Sequence, residues 1–299
     1  MKQANPLHSG IVTLIGRPNA GKSTLMNRMV GERVSIVTHK PQTTRHRVTG
    51  IVSRDPGQIV LVDTPGLHRR RQHALNRHLN RVAAESLHGI DLALLVVDAA
   101  HPTDEDRNAA RAVAQSGVPM VLVFNKIDKI ERRDSLLPMA REWSETFEPR
   151  EVVFISALKG DGLESLFDVI FKHLPEQPPL YPADEFTTAS QRFLAAELVR
   201  EQLLINLHQE VPYGTTVVVE AFEELDDRIR IEARVLVAEK RHKGIIIGRQ
   251  GQSLKRIGSR ARAAMKDLFG KPVHLDLTVG VAAGWMDREE GFAGLGYTH

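Results

Sequence analysis

Apolar residues in the first part of the chain come in short, nearly unbroken runs at 11–15, 59–62, 92–97, 118–124 and 152–155. Runs that are apolar at almost every position suit strands covered on both faces, whereas strict alternation would mark a sheet with one wet face. Between them lie amphipathic stretches at 22–30, 75–87, 104–116 and 163–174, several opened by Gly, Thr or Asp, as helix starts are. Strand and helix in repeated alternation predict a doubly wound α/β domain around a mostly parallel sheet.

The rhythm breaks at Leu174-Pro175-Glu176-Gln177-Pro178-Pro179-Leu180-Tyr181-Pro182, where proline excludes helix and withholds donors from a sheet ladder. We therefore expect a first domain over 1–174, a linker over 175–187, a second domain over 188–284 and a tail over 285–299. The second domain reads as a long helix (188–208), two alternating strands (215–222 and 228–238), a glycine-bounded turn, a basic helix (253–269) and a last strand (273–279). That is an α+β pattern, an antiparallel sheet faced by helices.

The length of 299 residues fits two domains of ordinary size. Hydrophobic residues at 42% and charged residues at 26% exclude disorder as the dominant state. No cysteine is present, which removes disulfides, thiolate catalysis and iron-sulfur clusters and fits a reducing compartment such as the cytoplasm. The amino terminus lacks the apolar segment of a secretory signal, and the longest apolar runs are strand-sized, so no transmembrane segment is expected. A net charge of +3 says little when averaged over the chain; clustering decides what a basic protein attracts.

Directly after the first strand stands Gly16-Arg17-Pro18-Asn19-Ala20-Gly21-Lys22-Ser23, followed by Thr24: the GxxxxGK[ST] pattern in its proper place between strand and helix. Its glycines let successive backbone N–H groups and a helix N-terminus point at phosphates. Lys22 adds a point charge and Ser23 a hydroxyl for Mg²⁺. Asp63-Thr64-Pro65-Gly66 at a strand end offers a carboxylate that would hold Mg²⁺ through water and a glycine N–H to sense a γ-phosphate. Asn125-Lys126-Ile127-Asp128 supplies a carboxylate able to accept both N–H groups of the guanine edge, and Ser156-Ala157-Leu158 supplies a backbone amide for its carbonyl. Adenine would leave that carboxylate unpaired. The motifs, each at a carboxyl-terminal strand edge, together point to GTP and GDP.

Leu67 follows Gly66, where a water-orienting glutamine often stands, and leucine can neither donate nor accept a hydrogen bond. Two readings stay open: a nucleotide-controlled binder without turnover, or hydrolysis helped by K⁺ held by Asn19 and Thr38. In the second, Asn19, Lys22, Thr44 and Gly66 are the candidate catalytic residues, Thr44 completing the Mg²⁺ shell with Ser23 and Asp63. The basic stretch 67–71 is the candidate second switch.

In the second domain, Ile245-Ile246-Ile247-Gly248-Arg249-Gln250-Gly251 forms a G-x-x-G turn ahead of a helix. Lys240, Arg241, Lys243, Arg249, Lys255, Arg256, Arg260, Arg262 and Lys266 lie in a stretch without Asp or Glu. This suits a KH domain, which clamps about four nucleotides of single-stranded RNA. The candidate RNA contacts are Lys243, Ile246, Ile247, Gly248, Arg249, Gln250, Gly251, Lys255 and Arg256, the isoleucines as an apolar floor for bases. Phe269 and Trp285 are read as packing residues before stacking ones. The order α-β-β-α-α-β matches the second topological type of KH domain.

The Pro41-Gln42-Thr43-Thr44-Arg45-His46-Arg47 stretch, Asp63-Thr64-Pro65-Gly66-Leu67-His68 and a carboxyl-terminal type II KH pattern together resemble the Era family of bacterial GTPases over nearly the whole chain. The resemblance implies slow, potassium-assisted GTP hydrolysis, binding of the 3′ end of 16S rRNA, a role in assembly of the 30S subunit, and peripheral association with the inner membrane. It also associates Asn19 and Leu67 with cation-assisted hydrolysis. Gly280, Val281, Ala282 and Ala283 depart from the basic, bulky end that the family's last KH strand carries. Two other readings share some of these features: a tRNA-modification GTPase, and an RNA-binding module whose nucleotide site is purely structural.

Overall fold

The computed structural model describes residues 7–40, 43–65, 74–85 and 89–287. Among these, residues within Met1–Ser35, Thr44–Arg69 and Leu79–Thr188 group into one compact unit, and those within Ile36–Thr43, Arg70–His78 and Ala189–His299 into another. No helix among the described residues is long and apolar enough to cross a membrane.

The amino-terminal unit carries a six-stranded sheet in the order β2-β3-β1-β4-β5-β6. Its strands are β1 (His8–Ile15), β2 (Val48–Arg54), β3 (Gly57–Asp63), β4 (Leu92–Asp98), β5 (Met120–Asn125) and β6 (Glu151–Phe154). All neighbours are parallel except β2, which runs antiparallel to β3. Every residue of β4 is buried, as its unbroken apolar run requires. The connecting helices are α1 (Lys22–Val30), α2 (Ala74–Glu85), α3 (Asp104–Ser116), α4 (Leu136–Phe147) and α5 (Leu163–His173). On one face Trp143 of α4 meets Phe124 of β5 edge-on at 5.8 Å, inside a cluster with Leu95, Val97, Val113 and Leu122. Burying aromatic rings of this size supplies much of such a core's stability.

The linker is not a free tether. The Ser9 amide donates to the Pro175 carbonyl (3.1 Å) and the Gln177 amide to that of Leu7 (3.0 Å). Buried Gln58 of β3 accepts from the amides of Leu180 and Tyr181 (2.8 and 2.9 Å) and donates to the Tyr181 carbonyl (2.9 Å). Farther on, the Ile51 amide donates to the Phe186 carbonyl (2.9 Å), the Thr187 hydroxyl donates to the Thr49 carbonyl (2.6 Å), and Gly50 bridges Thr187. Residues 175–187 thus belong structurally to the first unit.

The carboxyl-terminal unit has the expected order: α6 (Gln191–Asn206), β7 (Thr215–Glu224), β8 (Ile229–Val237), α7 (Lys240–Ile247), α8 (Gln252–Phe269) and β9 (Val273–Val281). β8 is central, antiparallel to β7 and parallel to β9, so the sheet is mixed rather than antiparallel as expected, because α7 and α8 carry the chain back before β9. Leu198, Val199 and Leu203 of α6 and Ile257, Ala261 and Met265 of α8 pack on Ile231, Ala233 and Val235 of β8. The alternating burial of β8 shows why period-two reading worked there: one face meets helices, the other solvent. The domain boundary expected before residue 285 falls later, because Trp285 is buried and its indole N–H donates to the Gly214 carbonyl (3.2 Å). Phe269 packs edge-on against Phe222 at 6.2 Å, a core role.

Candidate functional site

The phosphate loop turns between β1 and α1 through three left-handed or strained positions: Gly16 (φ 153°), Asn19 (φ 63°) and Gly21 (φ 105°). At Gly21 a Cβ would lie 2.2 Å from the Asn125 side-chain nitrogen, so both backbone shape and space demand glycine. Lys22 is buried and its ammonium donates to the carbonyls of Gly16 (2.8 Å) and Arg17 (3.1 Å). Burial is the main force holding its pKa below the ordinary lysine value; Asp63 and Asp106 oppose that shift and Arg17 adds to it.

Three hydroxyls converge on Asp63 at the end of β3. Ser23 (2.6 Å), Ser35 (2.9 Å) and Thr44 (3.2 Å) all donate to its Oδ2, and Ser23 and Thr44 lie 3.0 Å apart. Asp63 Oδ1 is buried with no hydrogen-bond partner among the described residues. A buried carboxylate with an idle oxygen beside paired hydroxyls is an all-oxygen donor set, which fits a small, hard divalent cation. Ser35 was not foreseen; it lies in a loop with no motif to mark it.

Beside the phosphate loop, Asn125 at the end of β5 ties three segments together. Its side-chain N–H donates to the Ala20 carbonyl (2.9 Å), and its oxygen accepts from the amides of Lys126 (2.7 Å) and Ala157 (3.0 Å). The Lys126 ammonium donates to the Asn19 carbonyl and to Asp98, both at 2.6 Å. The exposed Asp128 carboxylate is oriented by the Ser156 hydroxyl (2.6 Å). The phosphate loop and the segments 125–128 and 156–158 therefore hold one another in place, and Leu158 stands 64% exposed beside them. Pro41, Gln42, Gly66, Leu67, His68 and the basic run 69–71 lie outside the described residues.

In the second unit, α7 leads into the G-x-x-G turn, where Gly248 (φ 73°), Gln250 (φ 51°) and Gly251 (φ 75°) are left-handed. A cleft of about 410 Å³ opens beside it, lined by Leu254, Lys255, Ser259, Arg262, Leu275 and Leu277. Lys243, Arg249, Gln250, Lys255 and Arg256 are exposed, as an RNA contact requires. Ile246 is not available as a floor for bases: it is fully buried in the domain core, because position 246 of α7 turns inward. Ile247 is half-buried, and the apolar floor is made by Leu254, Leu275 and Leu277 from α8 and β9. Periodicity on α8 and alternation on β9 would have marked these leucines had the cleft been known.

Thr38 also belongs to this unit. Its hydroxyl pairs with that of Thr43 (2.7 Å) and accepts from the Lys40 amide (3.1 Å). Val37, Lys40 and Thr43 lie on the polar side of α6: the Val37 amide donates to Glu201 (3.1 Å), Lys40 to the Leu207 carbonyl, and Arg200, paired with Glu197, to the Thr43 carbonyl. The segment read from sequence only as a long helix thus buries charges at 197, 200 and 201.

Comparison with known proteins places these sites in context. The family described as a 50S ribosome-binding GTPase matches residues 11–126, and the KH domain family matches residues 210–286. GTPase Era of Stenotrophomonas maltophilia (strain K279a) is 48% identical over 297 residues, covering 99% of this chain and 100% of its own. The chain belongs to the Era family of GTPases. GTPase Era of Xanthomonas campestris pv. campestris (strain B100) is 47% identical over the same length. An Aquifex aeolicus Era variant bound to GDP and AlF4− superposes with a TM-score of 0.94 at 36% identity, covering 98% of this chain and 100% of the other. A structure of Era in complex with MgGDPNP and nucleotides 1506–1542 of 16S ribosomal RNA matches with the same score, identity and coverage. As an Era-family member the chain is a GTPase with an RNA-binding KH domain.

Proposed function

We propose that this chain is a GTP-hydrolysing switch that binds the 3′ end of 16S rRNA through the cleft at Gly248–Gly251 and acts in assembly of the 30S ribosomal subunit. The observation that carries this reading is the presence, on one chain, of a phosphate loop tied to an exposed Asp128 carboxylate held by Ser156 and a basic cleft with an apolar floor at a left-handed G-x-x-G turn. The Era complex with a 16S rRNA segment supports it by likeness over the whole length. Ser23, Thr44 and Asp63 would hold Mg²⁺. When bound, the ion supplies charge neutralisation on the β- and γ-phosphates. The Lys22 ammonium would turn its N–H groups from the two carbonyls to the phosphates, and the Gly66 amide would sense the γ-phosphate. The proposed place of action is the cytoplasm, with any contact to the inner membrane peripheral.

Two measurements test the reading. Arg249→Asp with Gln250→Asp places carboxylates at exposed positions facing an RNA backbone, without the clash that any side chain at Gly248 would make with Ser253, 2.6 Å from its Cβ. Affinity for a single-stranded 16S 3′-end oligonucleotide, followed by fluorescence anisotropy, is expected to fall about tenfold or more, while RNA-free GTP hydrolysis is unchanged. Equal affinity would remove the cleft from the proposal.

The second concerns the monovalent cation. Asn19, on the phosphate loop, is the proposed K⁺ ligand, and the ion would take the role an arginine finger has elsewhere. Asn19→Ala spares the backbone carbonyl that Lys126 uses. It is expected to remove most of the advantage of KCl over NaCl in steady-state hydrolysis; an unchanged ratio refutes the cation site.

A further inference from the structure

The ion network behind the phosphate loop has a feature that the loop motif does not assign. Arg17, the second residue of the loop, turns its guanidinium toward the β4–α3 connection. Its Nε donates to Asp106 Oδ2 (2.9 Å), one Nη donates to the His101 carbonyl (3.0 Å), and the same Nη lies 3.7 Å from Asp98. Asp106 is fully buried, yet it stands in the first turn of α3, where a capping residue normally meets solvent. Its Oδ2 also accepts from the Thr103 amide (2.9 Å) and hydroxyl (2.8 Å), completing a capping box.

Capping alone does not account for this placement. A box needs an acceptor for the Thr103 amide, which an exposed Glu or Gln would supply without the cost of burying a charge. The guanidinium is what the buried carboxylate additionally serves, and a planar group held on two sides fixes the direction of its own backbone. That backbone matters, because the Arg17 carbonyl is one of the two that receive the Lys22 ammonium. A linked series therefore runs from Asp106 through the Arg17 side chain to the Arg17 carbonyl and Lys22. Without it, a loop bent through Gly16, Asn19 and Gly21 would have to be ordered at the moment nucleotide binds, at a cost in affinity.

We propose that Asp106, acting through Arg17, is a positioning residue for the phosphate loop: it keeps the loop curved for nucleotide and so sets how long nucleotide stays bound. The test uses the full-length protein, release of a fluorescent GDP analogue, and steady-state GTP hydrolysis. Arg17→Ala and Asp106→Asn are each expected to speed release by about tenfold, the effect of losing one charge-assisted hydrogen bond. KM should rise in step, with kcat within about twofold of the parent. The double variant should release no faster than either single one, since both lose the same interaction. Thr103→Ala weakens the cap but spares the Arg17–Asp106 pair, so it should release nucleotide at the parental rate. Parental release by Arg17→Ala, or equal acceleration by Thr103→Ala, overturns the proposal. The Arg17 side chain is 18% exposed and its removal leaves the cap intact, so this variant gives an answer even where Asp106→Asn fails to fold.

Discussion

Lys22→Met is expected to abolish nucleotide binding while leaving the nucleotide-free protein at least as heat-stable as the parent. The ammonium is buried against two carbonyls, and burial outweighs the help it receives from Asp63 and Asp106. With a folded-state pKa below the unfolded value of 10.5, the unfolded chain holds the proton more tightly. Charged Lys22 therefore opposes folding at neutral pH, and stability from this group rises as pH climbs from the lowered value toward 10.5. Methionine matches the length without the charge, so the cost of burying an ammonium is removed. The released carbonyls can be taken by solvent. Thermal melts with and without GTP check both halves: the parent should gain stability with GTP, the variant should not. A nucleotide-free variant that melts well below the parent would show that Lys22 holds the loop together rather than waiting for phosphate.

Asp128→Asn should reverse the base preference. The carboxylate is exposed and fixed by Ser156, ready to accept from two N–H groups on one edge of guanine. An amide turns one acceptor into a donor and sets N–H against N–H. Sites built around a specific hydrogen bond reject a mismatched partner by about 10⁴-fold or more, and guanine affinity should fall on that scale. Xanthine carries an oxygen where guanine carries its amino group, so xanthosine nucleotides should now bind better. Competition between the two diphosphates measures this directly; an unchanged preference for guanine would place base reading elsewhere.

The parts of the fold that sequence made legible are those where one environment acts on a whole segment. β4 and β5 are buried on both faces, and their runs are apolar throughout. β2 escaped notice because it is an antiparallel edge strand interrupted by Thr49 and Gly50 and ending in exposed Ser53 and Arg54. α4 escaped because Pro138 stands in its first turn and its buried residues Leu136, Trp143 and Phe147 are widely spaced. The nucleotide site was legible because its motifs are contiguous and each reports its own backbone shape. Arg17 and Asp106 are 89 positions apart, and no spacing rule joins them. Ile246 misled for the opposite reason: a neighbour of the G-x-x-G turn in sequence need not share its surface, and on α7 that position faces the core.

The stitching of Phe186 and Thr187 onto β2 also guards against aggregation. β2 borders its sheet, and a bordering strand with bare amides and carbonyls is a template on which other polypeptides can add. Here Phe186 and Thr187 of the same chain occupy some of those groups, at Thr49, Gly50 and Ile51. A GTPase fragment cut at residue 174 would keep every nucleotide motif and yet be adhesive, whereas one extended through Thr188 would carry its own seal.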